Sequence, residues 1–182
     1  MIKKLSELSI DTSTIFHTPF PVDTDIFIPS LIDNENCEYL VGTVKKIEHV
    51  YGIDIMIRVF SLFISKLSNI CPKKIKKVRF LIVGSGSLLE KYRLLVSELN
   101  LDSHVDFVGE AKPEEVPIYL NQMDVFLSLS RVESYGVSVI EASATELPVI
   151  ASDIGGLPEV VVDNYTGYLV KPTDIEKAAS LL

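Results

Sequence analysis

Only two cysteines, Cys37 and Cys71, occur in the 182 residues, too few for the disulfide framework of a small secreted domain and without metal-ligand spacing. A reducing compartment is the default. Basic residues are also scarce. Lys and Arg number 17 against 25 Asp and Glu, a formal net charge of -8. That balance argues against nonspecific nucleic-acid binding, which needs clustered cations to displace counterions from phosphates. The one basic cluster, KKIKK at 73–77, follows Pro72 and precedes an apolar run, and it reads as a solvated turn rather than a binding patch. No apolar run approaches the ~18–20 residues of a membrane helix. The N-terminal MIKKLSELSI is too polar for a signal peptide. Together these absences make the chain cytoplasmic by expectation.

At 182 residues the chain fits one domain with a single sizeable core. A composition of 47% hydrophobic and 23% charged residues excludes a disordered or fibrous protein. Short apolar runs rich in β-branched residues alternate with longer stretches of helical period. Strands are predicted over 14–20, 37–44, 78–84, 104–109, 124–130, 148–152 and 167–170, and helices near 51–69, 86–99, 113–121, 137–146, 157–162 and 173–182. Most strand runs lack clean alternation, as strands buried on both faces of a parallel sheet do. Ile53, Met56, Ile57, Phe60 and Ile64 recur at the spacing of a helix packed on such a sheet. This alternation predicts an α/β domain with a doubly wound, Rossmann-like parallel sheet, whose ligand sits beyond the carboxyl ends of the strands. The segments after the strands, VKKIEH, GSGS, GEAKPEE, RVESYG and DIGGLPE, are indeed richer in glycine and charge than the strands themselves. No internal repeat, low-complexity tract or linker divides the chain. The last segment, PTDIEKAASLL, opens a helix at Thr173 or Asp174 and stops, so the chain looks cut there.

Three motifs carry possible chemistry. VGSGSLLEKY at 83–92 reads as strand, glycine turn and helix, with Gly84 and Gly86 allowing close backbone approach and the helix N-terminus offering N–H groups to an anion. The dinucleotide fingerprint wants Gly or Ala where Leu89 stands, so a plain tight turn remains the alternative. DTD at 23–25 could hold a metal as a carboxylate pair, but it lies in the proline-rich PFPVDTDIFIPS with no His or further Asp clustered beside it. A turn with an Asx-type hydrogen bond is the stronger reading. His17, His49 and His104 are scattered and read as structural. ESYGVSVIE at 133–141 places Glu133 in a loop at the ligand edge and Glu141 about one turn inside a helix starting near Val137. Gly136 lets backbone N–H groups approach a ligand there, and the helix dipole favours a diphosphate. The two glutamates could hold opposite ends of one sugar nucleotide. Equally, Glu133 could cap the helix and Glu141 be a solvated helix residue.

ESYGVSVIEASATELPVIASDIGGLPEVVVDNYTGYLVKP resembles the donor-binding half of retaining glycosyltransferases of the GT-B fold, family four (glycosyl transferases group one). The signature is Glu, seven residues, Glu, followed in order by LPVIAS, GGLPEVV and TGYLV. The resemblance runs back through VDFVGE, FLIVGSGS, VGTVKKIEHVYGID and FHTPFPVDTDIF to nearly the whole chain. It implies that residues 1–182 are a C-terminal nucleotide-sugar-binding domain whose N-terminal acceptor domain and final helices lie outside this sequence. Glu133 would then act on the transferred sugar as the catalytic residue, and Glu141 would hold the ribose hydroxyls. Other donor contacts would come from Lys45, Gly84, Gly86, Arg131, Ser134, Tyr135, Gly136 and Val137, with no metal and no cofactor. The substrate would be a UDP- or GDP-sugar, and the full-length protein could associate peripherally with a membrane. The family's basic pair falls on Lys45 and Val50, so its second cation is absent, with Lys46 or Arg131 as substitutes, and Pro21 replaces a common glycine. Two other classes remain. A nicotinamide-binding module would use VGSGS and Glu110, and a non-catalytic nucleotide-sugar-binding domain would fit the loss at Val50.

Overall fold

The computed structural model describes residues 7, 8, 11, 13, 15, 16, 18, 20–30, 39–73 and 75–182. Six strands form one sheet: β1 (Tyr39–Val44), β2 (Val78–Val83), β3 (Val105–Gly109), β4 (Val125–Ser128), β5 (Val149–Ser152) and β6 (Gly167–Val170). Between and after them run α1 (Ile53–Ile70), α2 (Leu89–Glu98), α3 (Val116–Leu120), α4 (Val137–Ala144), α5 (Leu157–Val160) and α6 (Ile175–Leu181). Among the described residues neighbouring strands of the sheet pair in parallel, and the strand order is β3-β2-β1-β4-β5-β6. The order reverses between β1 and β4, which makes their carboxyl ends the switch point where such folds place a ligand.

The strand expected at 14–20 is not seen at its described residues 15, 16, 18 and 20, and the rest of it lies outside the described residues, as do His17 and Cys37. Phe20 is followed by Pro21, which has no N–H for a ladder, and Phe20 gives its own N–H to the Tyr135 hydroxyl. DTD behaves as the Asx turn expected of it: the Asp25 N–H donates to Asp23 Oδ1 at 3.0 Å.

Both faces of the sheet are covered, which is why its strands do not alternate. On one face Val41, Phe80, Ile82 and Leu127 pack with Ile53, Met56, Ile57 and Phe60 of α1. On the other, Leu40, Val83, Phe126 and Ala151 meet Val139 and Ala142 of α4 and Leu157 of α5. β4 and β5 are buried at every residue. α1 follows Gly52, whose φ is 65°, and a Cβ there would stand 2.0 Å from the Leu129 carbonyl oxygen. That contact requires glycine and holds the start of α1 against the chain leaving β4. Among the described residues no helix is long and apolar enough to cross a membrane.

Candidate functional site

Two loops meet at the switch point. The first leaves β1 at Lys45. Its backbone is bonded to the loop after β2, since Lys45 N–H donates to the Val83 carbonyl at 3.0 Å and Ile47 N–H to that of Ser85 at 2.8 Å. Gly84 and Gly86 allow this proximity: a Cβ at Gly84 would lie 1.9 Å from the Lys45 carbonyl oxygen, and one at Gly86 2.3 Å from that of Ile47. Both glycines of VGSGS therefore seat the lysine loop. The second loop leaves β4 and carries RVESYG. Gly155 and Gly156 lie directly beneath it, and a Cβ on Gly155 would stand 1.8 Å from the Glu133 carbonyl oxygen. Gly136 (φ 86°) ends the loop as the N-cap of α4, and no side chain caps that helix. Glu133 is thus not a cap, and among the described residues no side chain takes the N–H groups of Val137 and Ser138 at the start of α4.

Across the switch point Lys45 Nζ donates to Glu133 Oε2 at 2.5 Å, with the two side chains only 6% and 9% exposed. Ser130 Oγ donates to the same carboxylate oxygen at 3.3 Å, and the lysine ammonium also lies 5.4 Å from the Tyr51 ring centroid. Beside the pair opens a cleft of about 320 Å³, lined by Lys45, Gly84, Glu110, Val137, Ser138 and Glu141 among others. Glu133 does not line it; its carboxylate is held by Lys45 and Ser130. Glu141 does line it, half-buried, so it is not a solvated helix residue. Burial pushes its carboxyl above the usual range, with the Lys45 charge pulling partly the other way. Ser138 Oγ is buried with no hydrogen-bond partner. A larger hollow of about 470 Å³ sits at the opposite, amino edge of the sheet, beside Tyr39, Asp124, Pro148 and Gly167. It is on the wrong side of the strands for the usual ligand position.

The remaining expected residues fall into place one by one. Arg131 forms a two-pronged pair with Asp54 at 2.7 and 2.6 Å and donates to the His49 carbonyl at 3.0 Å. Burial raises the Asp54 carboxyl, but the hydrogen bonds and charge of Arg131 outweigh it and hold the group below its ordinary value. The guanidinium is thereby committed to tying α1 to the β4 loop. Tyr135 accepts the Phe20 N–H at 2.8 Å and packs against its ring. Val137 and Lys46 are exposed and line the cleft, whereas Ser134 is exposed but is not among the residues lining it. Val50 presents no cation. Its side chain is 42% exposed, while its carbonyl accepts the N–H groups of Arg131 and Val132. Sequence reasoning missed Asp54, Tyr51, Gly155 and Glu48, whose carboxylate accepts from Ser87 N–H at 2.8 Å and Oγ at 2.7 Å. Only the glycine pair in DIGGLPE carried a visible signal.

The sheet order, the glycine-seated loops and the cleft at the β1–β4 reversal are those of a Rossmann-like domain of the GT-B glycosyltransferase type. The family model for glycosyl transferases group 1 matches residues 29–182, and the chain belongs to that family. A GDP-mannose-dependent alpha-(1-6)-phosphatidylinositol monomannoside mannosyltransferase of Mycolicibacterium smegmatis is 29% identical over 180 residues, covering 91% of this chain and 45% of the relative. The chain thus spans less than half the length of that curated relative. The crystal structure of the C-terminal domain of the glycosyl transferase group 1 family protein LpcC from Francisella tularensis superposes with a TM-score of 0.74 at 25% identity, covering 88% of this chain and 85% of that one. A mutant of S. aureus TarM, crystallised with fondaparinux, alpha-GlcNAc-glycerol and UDP, gives a TM-score of 0.69 at 27% identity over 85% of this chain and 31% of that one.

Proposed function

We propose that this chain is the donor-binding half of a retaining glycosyltransferase, which moves a sugar from a nucleotide diphosphate sugar to a glycan or lipid-linked acceptor held by a second domain. The observation that carries this reading is the convergence of Lys45, Glu141 and the uncapped start of α4 on one cleft at the strand-order reversal. A diphosphate in that cleft meets the Lys45 ammonium and the backbone N–H groups from Gly136 to Ser138, which stabilise the negative charge that grows on it as the sugar leaves. Glu141, half-buried and with no hydrogen bond from another described residue to its carboxylate, accepts from the two ribose hydroxyls. Glu133 acts on the transferred sugar, and catalysis needs no cofactor.

One relative is named for GDP-mannose and one structural neighbour was crystallised with UDP, so both bases belong in the test. The chain is titrated calorimetrically with UDP-, GDP- and ADP-sugars and with NAD. Binding of at least one nucleotide sugar is expected, and binding of NAD alone would overturn the proposal in favour of a nicotinamide module. A second reading, a nucleotide-sugar-binding domain without catalysis, is favoured by Val50, which leaves the cleft one cation short. Joining the chain to an acceptor domain and measuring transfer separates the two.

A further inference from the structure

The Lys45–Glu133 pair poses a geometric problem for the function just proposed. Lys45 is to neutralise a diphosphate while its ammonium is already held by a carboxylate at 2.5 Å, and Glu133 is to touch the donor sugar while its side chain is 9% exposed and absent from the cleft lining. While the pair is intact, the Glu133 carboxylate and one donor of the Lys45 ammonium are engaged with each other rather than with a donor sugar. We propose that Lys45 and Glu133 exchange partners: the donor diphosphate takes the Lys45 ammonium, and the released Glu133 carboxylate becomes available to the sugar. This rests on the nucleotide-sugar reading of the cleft and adds a coupling between its two ends.

Three features support the exchange. The pair is nearly sealed from water, so losing one partner leaves an uncompensated charge that seeks another. A bound anion can replace Glu133 at Lys45, and the cleft that Lys45 lines also reaches Val137 and Ser138 at the start of α4, where backbone N–H groups favour the same anion. The freed carboxylate keeps a nearby hydrogen-bond donor in Ser130 Oγ, now 3.3 Å away, and its backbone is clamped by Gly155 and Gly156 below and by the Arg131–Asp54 pair two residues upstream. The carboxylate can therefore turn without moving the loop. In this arrangement Glu133 guards the phosphate subsite of the empty protein, and a donor must displace it.

The consequence runs against the usual expectation for a binding-site residue. Removing the Glu133 charge should tighten the binding of a nucleoside diphosphate. Calorimetric titration of the chain with UDP, GDP and ADP should show Glu133→Gln binding its preferred diphosphate on the order of tenfold more tightly than wild type, about the worth of one charged hydrogen bond no longer broken. Lys45→Met should lose at least as much, and adding Glu133→Gln to Lys45→Met should change nothing further. Equal or weaker binding by Glu133→Gln, with the Lys45→Met loss retained, overturns the exchange but leaves the phosphate role of Lys45. No loss in Lys45→Met, or no binding of any of the three by wild type, overturns the reading beneath it. If Glu133→Gln does not fold, wild-type protein labelled with carbon-13 at the glutamate carboxyls gives the answer: the Glu133 signal moves on saturation with diphosphate, and an unmoved signal refutes the exchange.

Discussion

Glu141 is half-buried on α4, and no hydrogen bond from another described residue reaches its carboxylate, so Glu141→Gln is expected to change stability and affinity in opposite directions. A buried polar group without partners costs ~1–3 kcal/mol, and more when charged. Half burial and the Lys45 charge nearby reduce this to about 1 kcal/mol. Removing the charge while keeping the shape should return that amount at pH 7, a rise in melting temperature of about 2–4 °C for a domain of this size. The sign is checked by pH. Burial raises the carboxyl in the folded state above its ordinary value of 4.5, so the folded protein holds the proton more firmly than the unfolded chain does. The stability this brings is fully present below pH 4.5 and is lost as pH rises through the folded value. The advantage of Glu141→Gln should accordingly be largest at neutral pH and vanish in acid. Donor binding moves the other way: loss of a charged acceptor for two hydroxyls should weaken free nucleotide and nucleotide sugar alike by ~1.5–3 kcal/mol. Scanning calorimetry across pH and titration calorimetry at pH 7 read both effects. A variant that is less stable at pH 7 and binds as well as wild type would make Glu141 a structural residue and refute the reasoning.

Other perturbations probe the scaffold and the reaction. Gly155→Ala puts a Cβ 1.8 Å from the Glu133 carbonyl oxygen at a φ of 55°, and the left-handed strain and overpacking together should cost ~2–5 kcal/mol in thermal unfolding. A melting curve like that of wild type would show that the loop yields. Arg131→Met strips the partner from Asp54 and should cost about 1–2 kcal/mol at neutral pH. Because the pair holds the Asp54 carboxyl below its ordinary value of 3.8, that stability is present above pH 3.8 and is lost as pH falls through the folded value. The gap between variant and wild type should therefore close in acid, as denaturant unfolding at several pH values will show. On the two-domain reading the acceptor is held by another domain, so the 182-residue chain alone should bind donor yet transfer no sugar. Product formation by this chain alone would sink the two-domain reading.

The layered fold was legible because burial on both faces leaves a direct trace in composition: VFLS and VIAS are apolar or small throughout, and Ile53, Met56, Ile57 and Phe60 mark the helix face that covers them. The stretch at 14–20 has the same β-branched and aromatic character but sits among prolines, and composition alone does not weigh the missing ladder donor. Local spacing places Glu133, Gly136 and Glu141 on one loop and one helix, and the structure has them there. Pairing across the fold was beyond it. Lys45 and Glu133 are 88 residues apart, and Arg131 and Asp54 are 77. The sequence shows that a cation is present in each case but not which carboxylate has claimed it. The same holds for the glycines of VGSGS and DIGGLPE, which matter for the backbone they lie against.

Among the described residues β1 is paired with β2 over six positions but with β4 over two, Val41 with Val125 and Gly42 with Phe126. The strand-order reversal is thus a seam between two halves that each pair more extensively within themselves, crossed by the Arg131–Asp54 clamp and by Lys66 of α1 bonded to Glu176 of α6 at 2.6 Å. A ligand in the cleft touches both sides of this seam, Lys45 on one and α4 on the other. It acts as a staple. Opening of the seam becomes rarer by the factor 1 + L/Kd, with L the free ligand concentration, whenever opening and binding exclude each other. Amide exchange along β1 and β4 should then slow with donor concentration, while exchange at the outer strands β3 and β6 stays at its ligand-free rate.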